Sequence, residues 1–221
     1  MQTVLAEIIT IGDELLIGQV IDTNSAWMGE QLNSIGIRVK QISSVSDSKE
    51  HILAALDEAK SRADIILITG GLGPTKDDIT KHTLCEYFNT TLVTHPDIEE
   101  HIRNLFKRFN REPSEVNLRQ ADLPANCTAL NNKVGTAAGM WFEVDGKIFI
   151  SMPGVPYEMK SIMEEEAIPR LLQRFELPVI IHKTFLTQGY GESMLAEMIE
   201  RLGRCPAQTH EAGLPAIAGF G

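Results

Sequence analysis

From its amino terminus the chain alternates two apolar rhythms. Short β-branched and aliphatic runs, Leu5 to Ile11, Ile37 to Ser44 and Asp64 to Thr69, predict strands. Between them, Ser25 to Ile35 and Ser48 to Arg62 read as helices, the second carrying Ile52, Leu53, Leu56 and Ala59 at helical spacing. Thr23 or Asn24 is placed to cap the first helix and Gly36 to close it. This βαβαβ order, with its right-handed crossovers, predicts an α/β fold with a doubly wound, mainly parallel sheet. Ligands of such sheets bind at the carboxyl ends of the strands, where Gly12, Asp47 and Gly70 all fall.

Further along, helices are predicted over Asp78 to Asn89 and Pro96 to Phe109. His101, Arg103, Lys107 and Arg108 form a solvated face on the second. Gly139 to Val144 and Lys147 to Met152 flank the Asp145-Gly146 turn of a β-hairpin. A helix follows from Pro156 to about Phe175, with Glu164, Glu165 and Glu166 read as solvated. Val179 to Thr187 reads as a strand, and the stretch after Gly189 leads into a helix to about Leu202. Trp27 and Trp141 read as core residues.

Candidate chemistry concentrates after the third strand, in Gly70-Gly71-Leu72-Gly73-Pro74-Thr75-Lys76-Asp77-Asp78. Glycines allow positive φ and let a ligand approach the backbone, and amides at a helix start attract phosphate. Asp77 and Asp78 would repel a bare anion, which implies a cation between them and the phosphates; a plain helix cap is the competing reading. Asp47 and Glu14 fall on loops around the same cleft.

The turn resembles the signature of the molybdopterin-binding-type (MoCF, or MoaB/Mog) domain, Gly-Gly-Thr-Gly, four residues, then Asp. Gly70, Gly71, Gly73 and Asp78 match it, and Leu72 replaces the threonine. The longer form with Gly73-Pro74-Thr75 and paired aspartates resembles the CinA (competence/damage-inducible) branch of that family. So do Ile11 to Leu16 through Gly18 to Asp22-Thr23-Asn24-Ser25, Val45-Ser46-Asp47, and Met152-Pro153-Gly154-Val155-Pro156-Tyr157-Glu158-Met159.

The resemblance implies a MogA-like three-layer α/β/α domain over residues 1–175, a partial KH-like linker domain over 176–204 and a divergent tail over 205–221. The tail has no helical or strand period and is expected to be mobile; a reading frame displaced by one nucleotide from Thr209 would restore the family's strand there. The resemblance further implies metal-dependent hydrolysis of ADP-ribose to AMP and ribose 5-phosphate, and a homo-oligomer. Asp78 and Asp47 are the expected catalytic acids. Gly70, Gly71, Gly73, Thr75, Asn24, Ser25 and Gly154 are the expected phosphate-binding residues, although Asn24 and Ser25 equally suit helix capping. Asp77, Asp78 and Glu14 would hold a divalent ion, Mg²⁺, Mn²⁺ or Co²⁺; Glu158 is read as a helix cap. The family's amidase domain is not encoded in this chain, so nicotinamide mononucleotide deamidation is not expected. Two alternatives stand beside the hydrolase: a molybdopterin-binding protein of molybdenum cofactor synthesis, and a catalytically silent binding or oligomerisation module.

Composition narrows these readings. In the 221 residues, 30 Asp and Glu outnumber 20 Lys and Arg for a net charge of −10, which disfavours nucleic-acid binding. The amino terminus has no basic leader and no apolar run approaches membrane-spanning length, so a cytoplasmic location is expected. Cys85, Cys127 and Cys205, odd in number and far apart, read as reduced structural thiols. The Arg-Glu-x-x-Glu-Glu core of Nudix pyrophosphatases is absent.

Overall fold

A computed structural model describes residues 3–73, 79–178 and 188–203, with the side chains of 201–203 left aside. The chain divides into two compact units, Met1–Ile181 and His182–Gly221.

The first unit runs β1 (Leu5–Ile11), α1 (Asp13–Leu16), α2 (Thr23–Ser34), β2 (Arg38–Val45), α3 (Lys49–Arg62), β3 (Ile65–Thr69), α4 (Ile79–Tyr87), β4 (Leu92–Thr94), α5 (Pro96–Lys107) and α6 (Glu115–Leu118). It continues through β5 (Asp122–Pro124), β6 (Thr128–Leu130), β7 (Gly139–Val144), β8 (Lys147–Met152), α7 (Pro156–Ile162) and α8 (Ile168–Arg174). Six strands form one sheet in the order β2-β1-β3-β8-β7-β6. The first four are mutually parallel, and β7 and β6 add antiparallel strands at the far edge. The hairpin thus contributes β8 to the parallel core, beside β3. β4 and β5 form a separate antiparallel pair.

Strand alternation divides the apolar residues between two cores. Ile8, Ile65, Leu67, Ile148 and Ile150 pack with Met28 and Leu32 of α2 and with Met159 and Ile162 of α7. Ile9, Ile11, Ile66, Ile68 and Phe149 pack on the opposite face with Ile52 and Leu56 of α3, Leu84 of α4 and Ile98 and Ile102 of α5. The result is a three-layer α/β/α fold. Glu7 breaks the apolar pattern of β1 and is 1% exposed; Arg62 neutralises it through two hydrogen bonds of 2.7 and 2.8 Å. Trp141 lies in the first core, and half-buried Trp27 packs against its edge.

Several elements differ from the sequence reading. Asp22, not Thr23 or Asn24, caps α2: its Oδ1 accepts from the Ser25 N–H at 2.9 Å and its Oδ2 from the Ser25 hydroxyl at 2.5 Å. α5 stops at Lys107, short of Phe109, because Asn110 turns the chain with φ of 51°. Glu164 to Glu166 lie in a π-helical segment, Met163–Ala167, between α7 and α8. Pro169 follows it; with no N–H to donate to the Glu165 carbonyl, it is accommodated by that wider turn. These acids are also paired rather than merely solvated, Glu165 with Lys133 and Glu166 with Arg170.

In the second unit α9 covers Glu192–Gly203, close to the helix expected there. The strand expected over Val179 to Thr187 and the tail 205–221 lie outside the described residues. Among the described residues no helix is long and apolar enough to cross a membrane.

Phe149 is fully buried, with ring contacts to Tyr87 and Phe88, whereas Phe109 is 71% exposed. Phe149→Ala is therefore expected to cost about 3–5 kcal/mol in urea denaturation. Phe109→Ala is expected to stay within roughly 0.5 kcal/mol of the parent.

Cys85 and Cys127 are free thiols, and Cys205 lies outside the described residues. Burial raises the Cys85 thiol above its ordinary range and pushes Cys127 up to about 12. Because the folded chain holds protons that the unfolded chain releases above about pH 8.5, stability should fall as pH rises past that value. Iodoacetamide at pH 8, read by peptide mass, is expected to spare both thiols in the native protein and to label both in urea.

Candidate functional site

Four parallel strands end together, and the loops after them converge on a cleft of about 1010 Å³. Its wall takes Gly12 to Leu15 from the loop after β1, Asp47 after β2, Gly70 to Gly73 after β3 and Pro153 to Pro156 after β8. Gln120 and Thr136 close it from the opposite face.

Glycine at the centre is a steric requirement. Gly70 has φ of 110°, and a Cβ there would lie 2.1 Å from the Ile11 carbonyl oxygen. Its N–H donates to the Met152 carbonyl at 3.2 Å, which locks the end of β3 to the end of β8. Gly71, at φ of 65°, would place a Cβ 2.0 Å from Thr80 Oγ1, and a Cβ on Gly154 would lie 3.3 Å from the Gly70 Cα. Bare backbone therefore floors the cleft, where a ligand can approach the main chain.

Asn24 staples the wall. Its Nδ2 donates to the Gly154 carbonyl at 2.8 Å and to Thr69 Oγ1 at 3.4 Å, and the Thr69 hydroxyl donates to the Pro153 carbonyl at 2.9 Å. A carbonyl only accepts, so the amide orientation is set and Asn24 Oδ1 is left as an acceptor, without a partner among the described residues. An acceptor repels phosphate oxygens, so Asn24 positions the Gly154 turn and presents no phosphate donor from its side chain. Ser25 is 4% exposed, and its hydroxyl and N–H both serve Asp22.

The acids arrive from separate loops. Asp47 Oδ2 accepts from the Asp13 N–H at 3.0 Å, tying the ends of β1 and β2. The Glu14 carboxylate folds over Gly12, where a Cβ would lie 2.6 Å from its Oε1. Asp13, Glu14, Asp22 and Asp47 all line the cleft. Among the described residues no three His, Cys, Asp or Glu side chains gather closely enough to share a metal ion. Thr75, Asp77 and Asp78 lie outside the described residues.

Sequence reading missed the far wall. Glu158 is not a cap, since Val155 occupies that position of α7; its Oε2 accepts from Asn132 Nδ2 at 2.6 Å. Asn132 also donates to the Ala137 carbonyl at 2.9 Å, and Lys133 pairs with Glu165, so the loop before β7 is fastened to α7 and the π segment. His101, read as solvated, is half-buried with Nε2 3.3 Å from the Gly135 carbonyl oxygen. Gln120, His82 and Thr136 line the cleft with no local motif to mark them.

The profile of a family described as a probable molybdopterin binding domain matches residues 7–173. A crystal structure of the protein CinA from Thermoplasma acidophilum, described as of unknown function, superposes with a TM-score of 0.68 at 32% identity, covering 77% of this chain and 98% of that one. The chain belongs to this family, in its CinA-like branch. A CinA-like protein of Flavobacterium psychrophilum is 52% identical over 196 residues, covering 88% of this chain and 47% of the relative. One from Cytophaga hutchinsonii is 50% identical over 217 residues, covering 98% of this chain and 50% of the relative. The chain thus spans about half the length of the curated CinA-like relatives it matches. The tungsten cofactor synthesizing protein MoaB of Pyrococcus furiosus shares the fold at a TM-score of 0.51 and 24% identity, covering 80% of this chain and 99% of that one.

The glycines of this CinA-like cleft should differ in tolerance. Gly70→Ala meets backbone that cannot yield and is expected to cost more than about 3 kcal/mol; Gly71→Ala meets a movable hydroxyl but keeps its positive φ, for roughly 1–2 kcal/mol. Gly154→Ala should cost least. Urea denaturation checks the order, and equal losses at all three positions would contradict it.

Proposed function

We propose that the cleft binds a phosphoric anhydride and that the chain hydrolyses ADP-ribose to AMP and ribose 5-phosphate with the help of a divalent cation. The observation that carries this reading is the bare-backbone floor formed by Gly70, Gly71 and Gly154, bordered by Glu14 and Asp47 in one cleft. Main-chain amides suit phosphate oxygens, and Gly71 would offer one beside Gly70, whose own N–H is spent on the Met152 carbonyl; the nearby carboxylates would oppose a diphosphate unless a cation lay between them. The donors are carboxylate oxygens, the ligands that hard divalent ions prefer. With one or two protein carboxylates, such an ion completes its coordination from phosphate oxygens and water, so Glu14, Asp47 and, as sequence neighbours of the loop, Asp77 and Asp78 fit that role. Bound there, the cation would neutralise charge developing on the diphosphate. Asp47, braced by the Asp13 N–H, would orient a water, and Asp78 is assigned the second catalytic role on its match to the family motif.

A second reading, pterin binding, is favoured by the family's description as a probable molybdopterin binding domain. Molybdopterin itself carries a phosphate, so the same floor would serve it, and binding without turnover would mark that outcome.

Purified chain given ADP-ribose is expected to release AMP, followed by chromatography, with Mg²⁺, Mn²⁺ or Co²⁺ and to stop on chelation. Asp47→Asn and Asp78→Asn should each lower turnover by roughly a hundred-fold or more, Asp47→Asn with little change in melting temperature because the amide oxygen still accepts from the Asp13 N–H. Full turnover in excess chelator would sink the metal-dependent reading.

A further inference from the structure

Beyond the cleft's far wall lies a second hollow of about 620 Å³, sharing Thr136 and Glu158 with it. Phe109 and Tyr157 line this hollow and are 71% and 60% exposed; Arg111 and Val134 join them. Two exposed aromatic rings in a concavity that opens from a phosphate-type cleft have an obvious chemical complement, a flat heteroaromatic ring attached to a phosphate.

Resting on the anhydride reading, we propose that this hollow is the nucleobase subsite: the base of a nucleoside diphosphate derivative packs against Phe109 and Tyr157 while its phosphates lie on the glycine floor. The walls are held before any ligand arrives. The Asn110 N–H donates to the Lys107 carbonyl at 3.0 Å and the Arg111 N–H to the Phe106 carbonyl at 3.1 Å, closing α5 with Asn110 in the left-handed region and fixing the turn that carries Phe109. Tyr157 stands on the first turn of α7. The loop between the hollows is tied down by Asn132 to Glu158 and by His101 to Gly135. The backbone beneath both rings therefore needs little ordering on binding. Glu158 can add a polar contact: a carboxylate accepts more than the one hydrogen bond it takes from Asn132, and an N–H on the edge of a base is a donor.

The test is calorimetric titration of the full chain, with Mg²⁺ present, using two non-hydrolysable probes: methylene bisphosphonate, which reaches the cleft alone, and the α,β-methylene analogue of ADP-ribose. The analogue should bind more tightly than the bisphosphonate. Phe109→Ala and Tyr157→Ala should each weaken the analogue by about ten-fold, leaving the bisphosphonate unchanged, with native mass in solution unchanged. If both variants bind the analogue as the parent does, or if they change only the oligomeric mass, the hollow is not a base subsite; the second result would make it a contact between copies. Bisphosphonate binding with no gain for the analogue would remove this subsite and leave the anhydride reading intact, whereas failure of the bisphosphonate to bind would remove both.

Discussion

The close approach of Gly70 to the Ile11 carbonyl is the constraint on which the site depends. Three adjacent strand ends, those of β1, β3 and β8, meet where a methyl group would fall 2.1 Å from a backbone oxygen. This proximity lets the Gly70 N–H reach Met152 and brings the Gly154 turn against the Gly70 Cα. A larger residue would push β3 away from β1 or swing its loop outward, in either case lifting the floor of the cleft. The parallel core supplies the force that holds the ends together: β3 is wholly buried, and both faces of the sheet are covered by helices.

Polar side chains then join loops that the apolar core leaves independent. Asp47 fastens the β2 end to the start of α1, Asn24 fastens α2 to the turn after β8, and Glu158 fastens α7 to the loop before β7. Each bond bridges a different pair of loops. Asp47 and Glu158 are carboxylates, so the residues that assemble the wall also shape its field.

Much of the sheet was legible because its strands declare themselves locally. β1, β3, β7 and β8 are short apolar runs bounded by Gly, Pro or an Asp-Gly turn, and the two helical stretches between the first three strands have apolar spacing that needs no distant partner to read. The glycine turn, Asp47 and Glu14 were legible as a cluster for the same reason: each sits at the end of a recognisable strand, and parallel topology sends such ends to one edge.

Other features depended on partners remote in sequence. Asn24 and Ser25 are adjacent and similar in propensity, yet Asn24 reaches a carbonyl 130 residues away while Ser25 turns back to Asp22. Glu158 looked like a cap because its first-turn position is the local signal for one; its partner Asn132 comes from a loop with no regular pattern. Gln120, Thr136 and Phe109 carry no motif at all, and Tyr157, though it falls in the Pro153-Gly154 motif, is joined to Phe109 in one hollow only because α5, α7 and the intervening loops pack on the same sheet. Hydrophobic period, turn chemistry and strand-end glycines are short-range quantities, and the sequence by itself determined what they govern: the layers, the strand direction and the edge that carries the site. Hydrogen bonds between separate loops, such as Asn24 to Gly154 and Asn132 to Glu158, require the chain to be folded before they exist, and for that physical reason tertiary structure alone decided the far wall and the side chains that fasten it.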